Sequence, residues 1–345
     1  MRALTISSHG GLDRLDVRDD LAIPELQRPT DVRIRVRAAA LNHLDLFVVH
    51  GLPGVTITPP WPLGADACGI VESIGADVRG IDVGDRVLVN PGISDRTCEY
   101  CREGEQPLCP RFAILGEHLP GTIADYIVVP DVNVRVIPDS VSDEEGAAFT
   151  LATLTAWRMI VSRARVMAGE NVLIWGIGGG VAIAALQICK LLGARVWAVS
   201  SSKAKLERAA ALGADELLDR TEGDVARAIR DRTGKRGVDV VVDNVGQATW
   251  KQSLGALGRR GRLVTCGATS GPIVETDVRR LFWNQWSILG STMGNGAELD
   301  EIVGELRGGR LRPVVDSVFD LADGRAAFER LESARQFGKV VVRLS

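Results

Sequence analysis

Asp95, Cys98, Cys101 and Cys109 fall within one fifteen-residue stretch, DRTCEYCREGEQPLC, that holds three of the six cysteines of the chain. Thiolates bind Zn²⁺ at about 2.3 Å and carboxylate oxygens at about 2.0–2.2 Å, so this set suits a tetrahedral zinc. Four protein ligands leave no open position for a substrate, and such a site braces a loop without doing chemistry. The alternative is a reduced surface loop, or a disulfide from Cys98 to Cys101 or Cys109. Asp95 is the least usual ligand of the four.

A second pattern is Gly176-Ile-Gly178-Gly179-Gly180-Val181, between a strand-like run and a helical run. Glycines there tighten the turn and bring backbone N–H groups up to a pyrophosphate at the helix N-terminus. The alternative is a glycine turn that only packs a helix on a strand. About 20 residues on, an NAD site would place a carboxylate for the ribose hydroxyl. Here stand Ser200, Ser201 and Ser202, followed by Lys203 and Lys205, with Arg220 after the next strand-like segment. Hydroxyls and cations suit a 2′-phosphate, so NADP(H) is favoured over NAD(H), although lysines on a first helical turn are often merely solvated.

These residues need two kinds of framework. Residues 1–150 carry short β-like runs, Val32–Val36, Gly69–Ile74, Arg86–Val89 and Tyr126–Val129, punctuated by Gly, Pro and Asp, as in an antiparallel barrel-like domain. From about Thr153, strand-like Val172–Trp175, Arg195–Val199, Val238–Val242 and Arg262–Thr265 alternate with helical Val181–Leu192 and Lys203–Leu212. That alternation predicts a doubly wound parallel sheet. The tail adds a helix over Leu299–Leu306 and a strand over Lys339–Leu344.

At 345 residues the chain is long enough for two domains, and 46% hydrophobic with 25% charged residues describes an ordinary globular protein. A net charge of −3 without a basic stripe argues against nucleic acid. The uncharged run Val172–Cys189 is barely long enough for a membrane span, and its glycines suit a strand, turn and helix better. The N-terminal residues do not read as a secretory signal. Clustered ligands plus Cys68, Cys189 and Cys266 in apolar contexts, expected as buried thiols, suit a reducing cytoplasm.

Taken together, the chain resembles the medium-chain dehydrogenase/reductase superfamily of zinc alcohol dehydrogenases and quinone oxidoreductases. The resemblance rests on Ala38-Ala-Ala-Leu-Asn42-His-Leu-Asp45, Gly64-Ala-Asp66-Ala-Cys-Gly69, Val83-Gly-Asp-Arg-Val87, the cysteine loop, the glycine turn and Phe337-Gly-Lys-Val-Val341. It implies a GroES-like β-barrel catalytic domain over 1–152 and 293–345, containing the zinc loop 95–109. It also implies a Rossmann domain over 153–292, an active site in the cleft between them, and a homodimer or homotetramer. The long glycine turn is more similar to that of the quinone oxidoreductases, in which the residue matching Lys205 binds the 2′-phosphate of NADPH. Thr155 matches a position that touches nicotinamide, or else is an ordinary helix hydroxyl.

The departures from the family pattern carry the functional expectation. The catalytic-zinc ligands are matched by Asn42, by Ala65 followed by Asp66, and by Leu151, none of them a good ligand. The hydroxyl that begins the proton relay is matched by Leu44. Phe47 stands where some reductases hold a tyrosine. Without the metal's Lewis acidity, hydride transfer depends on geometry and on a proton donor. His43, beside Asn42, is a candidate for phosphate contact, proton donation or a structural role; His118 is a candidate for lining the cleft or for capping a turn.

The expected function is therefore NADPH-dependent reduction of an activated C=C, quinone or carbonyl without catalytic metal. Two alternatives are a zinc alcohol dehydrogenase with unconventional ligands drawn from Asn42, Asp45 and Asp66, and a quiet dinucleotide-binding scaffold.

Overall fold

The structure, a computed structural model, describes residues 1–344. The chain divides into two units, Met1–Ala152 with Asn295–Ser345, and Thr153–Gly294.

The first unit is built on a seven-stranded sheet. Its path runs Val134–Val136, Arg86–Val89, Asp66–Ile74, Asp31–Ala40, Lys339–Arg343 and Val315–Asp320, with Tyr126–Pro130 also paired to Asp31–Ala40. All pairs are antiparallel except the last, between Val315–Asp320 and Lys339–Arg343. The strand Asp31–Ala40 reads DVRIRVRAAA: Val32, Ile34 and Val36 alternate inward with arginines, and the alanines then continue as an entirely buried run. This shift from alternation to continuous burial marks where the strand passes from one covered face to two. Val32, Ile34, Val71, Val87 and Val129 share a core with Phe328 and Leu331 of the helix Gly324–Glu332.

Register decides what this unit can build. Asp66 pairs with Ala40, and Val341 pairs with Ala40 from the other side. The last residues of the chain are thereby laid beside the segment that enters the helix His43–His50.

The second unit is a six-stranded parallel sheet in the order Glu216–Asp219, Arg195–Ser200, Asn171–Ile174, Val238–Val242, Leu257–Thr265, Ser287–Gly290. Its central strands are largely apolar, as in VDVVV at 238–242, where only the half-buried Asp239 interrupts the buried valines, the pattern of a sheet covered on both faces. Strand order reverses beside Asn171–Ile174, the place where doubly wound sheets receive ligands at their carboxyl ends. Among the described residues, no helix is long and apolar enough to cross a membrane.

Candidate functional site

The glycine turn stands at that switch point. Gly176 at φ +67° and Gly178 at φ +127° take backbone conformations that L side chains rarely adopt. Ile177 N–H donates to the Val199 carbonyl at 3.0 Å, tying the turn to the neighbouring strand. The helix Gly180–Leu191 follows, and its N-cap Gly179 supplies no side-chain cap, so no N-cap side chain takes up the first-turn N–H groups that an anion site would use. Val181 stands in that first turn.

At Gly178 a Cβ would meet Lys205, with Nζ 3.2 Å away, so the lysine folds across the turn. Two contacts bring its neighbours alongside. Ser202 caps the helix Lys203–Ala211 by accepting the Lys205 N–H, and Arg220 N–H donates to the Ser200 carbonyl at 2.9 Å. Ser200 Oγ accepts the Ser202 N–H at 3.1 Å, and Ser201 is exposed. Lys203 points instead to Glu222, at 3.7 Å. Thr155 is buried, and its hydroxyl meets the Met293 sulfur at 3.8 Å.

In the first unit the matched residues Asn42, Asp66 and Leu151 do converge, around a residue the sequence analysis had not singled out. Lys339 Nζ donates to Asn42 Oδ1 and, at 3.0 Å, to Asp66 Oδ2. Asn42 Nδ2 donates to the same Asp66 oxygen at 3.0 Å, and the Leu151 backbone N–H donates to Asp66 Oδ1 at 2.8 Å. The lysine and aspartate side chains are 5% and 0% exposed. The sheet register explains the meeting of residues 297 positions apart: continuing the Val341–Ala40 ladder by two residues sets Lys339 opposite Asn42. Its signals in the sequence were a lysine opening an apolar strand and its place in the motif Phe337-Gly-Lys-Val-Val341.

Asp45 closes the start of the helix His43–His50 by accepting the Asn42 N–H at 2.6 Å. Burial pushes its carboxyl up to about 7, against the Asn42 N–H and the Lys339 charge, with Asp66 adding to the rise. Burial lowers the imidazole pKa of His43, and the Lys339 charge lowers it further, both favouring the neutral ring. His118 is not drawn into this network of bonds: its Nδ1 accepts the Ile114 N–H at 3.3 Å, which closes a turn, and faces Glu117 at 3.7 Å.

The ligand atoms of Asp95, Cys98, Cys101 and Cys109 all lie within 4.8 Å of one another. A tetrahedron of thiolates around zinc spaces its sulfurs by about 3.8 Å, given a Zn–S distance of about 2.3 Å, so the cluster fits that ion. Cys98 and Cys101 come together through the short helix Glu99–Arg102, which Cys98 caps by accepting the Cys101 N–H at 3.5 Å. Cys109 Sγ accepts the N–H groups of Asp95 and Arg111 at 3.5 and 3.4 Å. The N–H groups of Cys98 and Thr97 hold Asp95 well below the usual carboxylate range. Among the described residues the cysteines stand as unpaired thiols. Cys68 and Cys189 are buried as expected, whereas Cys266, just past the strand Leu257–Thr265, is only partly covered.

Residues 28–139 match the alcohol dehydrogenase GroES-like domain and residues 180–307 match the zinc-binding dehydrogenase family. An alcohol dehydrogenase of Geobacillus stearothermophilus is 33% identical over 94% of this chain and 96% of that protein. The chain belongs to the medium-chain dehydrogenase/reductase superfamily. A solved structure titled as an NAD-dependent alcohol dehydrogenase is 43% identical over the whole of both chains, with a TM-score of 0.96. An acryloyl-coenzyme A reductase of Metallosphaera sedula is 29% identical over 99% of each chain. The first unit is accordingly a GroES-like domain and the second a Rossmann domain, and the chain is a nicotinamide-dependent oxidoreductase, which removes the scaffold alternative.

Proposed function

We propose that this oxidoreductase uses NADPH to reduce an activated C=C bond, quinone or carbonyl, without a catalytic metal. The observation that carries the reading is the set of donors at Asn42, Asp66 and Leu151. One is an amide oxygen, one a carboxylate and one only a backbone N–H, and the two oxygens are already bonded to the Lys339 ammonium. Such a pocket cannot acidify an alcohol as a zinc-bound site does. A conjugated acceptor needs less activation, because its electrophilic carbon takes hydride readily once it is positioned.

NADPH supplies that hydride. Its phosphates suit the glycine turn, and its 2′-phosphate suits Lys205, Ser200, Ser201 and Arg220, with Thr155 toward the nicotinamide. His43 is the proton-handling candidate beside Asn42, a relay whose neutral ring is favoured by burial and by the Lys339 charge. Asp95, Cys98, Cys101 and Cys109 would hold one zinc that braces their loop.

The names of the alcohol dehydrogenase relatives support a second reading, in which an NAD-dependent alcohol oxidation survives with unconventional ligands. One panel separates the two: NADPH and NADH oxidation with an enone, a quinone and an aldehyde, beside NAD⁺ and NADP⁺ reduction with simple alcohols, each with and without chelator. Alcohol oxidation that a chelator abolishes and zinc restores would refute the metal-free reading.

We further propose a homodimer or homotetramer. The strand Ser287–Gly290 is paired on one side only, and the adjacent helix Val278–Asn284 leaves Val278, Phe282 and Trp283 more than 60% exposed. An apolar surface beside an open sheet edge is commonly covered by another chain. A reducing compartment such as the cytoplasm suits the six unpaired cysteines.

A further inference from the structure

The pocket around Asp66 has a buried carboxylate and a buried amide oxygen aimed at one point, and the group found at that point is the Lys339 ammonium. The orientation of both partners is over-determined. Asn42 turns its NH₂ toward Asp66 at 3.0 Å, which leaves its carbonyl oxygen for the lysine. Asp66 gives its other carboxylate oxygen to the Leu151 N–H, while its backbone carbonyl accepts the Thr122 hydroxyl at 2.8 Å. Asp45, the other buried acid, is engaged by the Asn42 N–H and by the Gly64 backbone. Neither carboxylate is thus left to turn toward a second cation.

We propose that Lys339 is the resident cation of this pocket: its ammonium occupies the place a divalent metal would need and bars a metal from binding there. This deepens the metal-free reading above and rests on it. A divalent ion taking Asp66 Oδ2 and Asn42 Oδ1 at metal–oxygen distances of about 2.0–2.6 Å would fall on Nζ itself. Shifted aside, it would still face a like charge through an interior that screens poorly. Through Asn42 the same ammonium also fixes the start of the helix carrying His43, which makes Lys339 a positioning residue.

Cobalt titration of the full-length chain tests this without recourse to turnover. The visible absorption of Co²⁺ reports each site, and a near-ultraviolet thiolate-to-cobalt band marks the cysteine loop. Wild type should take one cobalt per chain, with the thiolate band. Lys339→Met, which keeps the length of the stem and removes the charge, should gain a second cobalt without that band, bound at least tenfold tighter than any second cobalt in wild type. Lys339→Met/Asp66→Asn should lose it again, and Lys339→Arg should stay at one. Lys339→Gln, which still donates to Asp66, replaces the methionine variant if that one does not fold.

A second cobalt in wild type that Asp66→Asn removes would overturn the proposal. So would a folded, charge-free variant at position 339 that takes no second cobalt. The stoichiometry does not depend on activity, so a wild type inert toward enones and quinones would refute the reductase reading while leaving this test intact.

Discussion

Replacing Asp45 by asparagine should flatten the pH dependence of stability above pH 5. The side chain is 1% exposed, and its carboxyl is pushed up to about 7, chiefly by burial. An unfolded aspartate titrates near 3.9, so the folded and unfolded values differ by about 3 units, or about 4 kcal/mol. The sign follows from proton counting. Between about pH 4 and pH 7 the native state holds a proton that the unfolded chain has released, so stability falls as pH rises through that window. The contribution is whole below the unfolded value and gone above about 7, and about 2 kcal/mol of it falls between pH 5.5 and 7.

Lys339, Asp66 and His43 are the charged or titratable groups that bear on this cluster, and all three remain in the variant. The amide oxygen introduced in Asp45→Asn would still accept the Asn42 N–H, and the loss of the acceptor for Gly64 costs about 1 kcal/mol at every pH. Urea unfolding of wild type and Asp45→Asn at half-unit steps from pH 5.5 to 8.5, with zinc present throughout, isolates the effect as the difference between the two curves. The variant should gain about 2 kcal/mol on wild type across pH 5.5 to 7 and hold the gain above pH 7. Parallel curves would show that Asp45 is ionised throughout, and the reasoning from burial would fail.

Cys98→Ser or Cys109→Ser should release zinc and lower the melting temperature while surviving protein keeps its cofactor affinity, because the loop's ligands assemble only in the folded state; metal analysis of a folded, metal-free wild type that does not respond to reconstitution would contradict this. NADPH should bind more tightly than NADH, and Lys205→Ala should narrow the gap about five-fold, the equivalent of about 1 kcal/mol for an ammonium–phosphate contact. That preference should weaken as salt rises, and calorimetry giving equal wild-type affinities for the two cofactors would remove it. Ethanol oxidation should be slight and enone reduction insensitive to mild chelation, measured by NADPH absorbance; strong chelator-sensitive alcohol turnover would reverse the assignment. Lys339→Met should destabilise the fold by about 3–5 kcal/mol in urea unfolding, since it leaves Asp66 buried and unpaired, and adding Asp66→Asn should recover much of the loss; an unchanged single variant would mean that water, not Lys339, satisfies Asp66.

Elements whose cues are local were legible in the chain. Arg86–Val89 and Val238–Val242 are strands with the bounds that their apolar runs and flanking turns predict. The glycine turn and the cysteine loop were legible for the same reason, since each packs its chemistry into about fifteen residues or fewer and needs only a turn to assemble. The strand Val315–Asp320, VDSVFD, escaped because half of its residues are polar and none is fully buried. The helix Gly324–Glu332 buries Ala327, Phe328 and Leu331 at helical spacing, but the stripe is short and most of the remaining residues are charged.

Residue types and spacing were enough for the glycine turn and for the gathering of Asp95, Cys98, Cys101 and Cys109, and they define the expectation of poor zinc ligands at Asn42, Ala65 and Leu151, because each of these is a matter of which residues are present. What stands at that pocket instead emerged only from the fold. A strand at the end of the chain, laid antiparallel against Asp31–Ala40, carries Lys339 to Asn42, and burial then leaves its ammonium no partners among the described residues but Asn42 and Asp66. Register is a property of the whole sheet, and no local pattern near residue 42 or residue 339 encodes it.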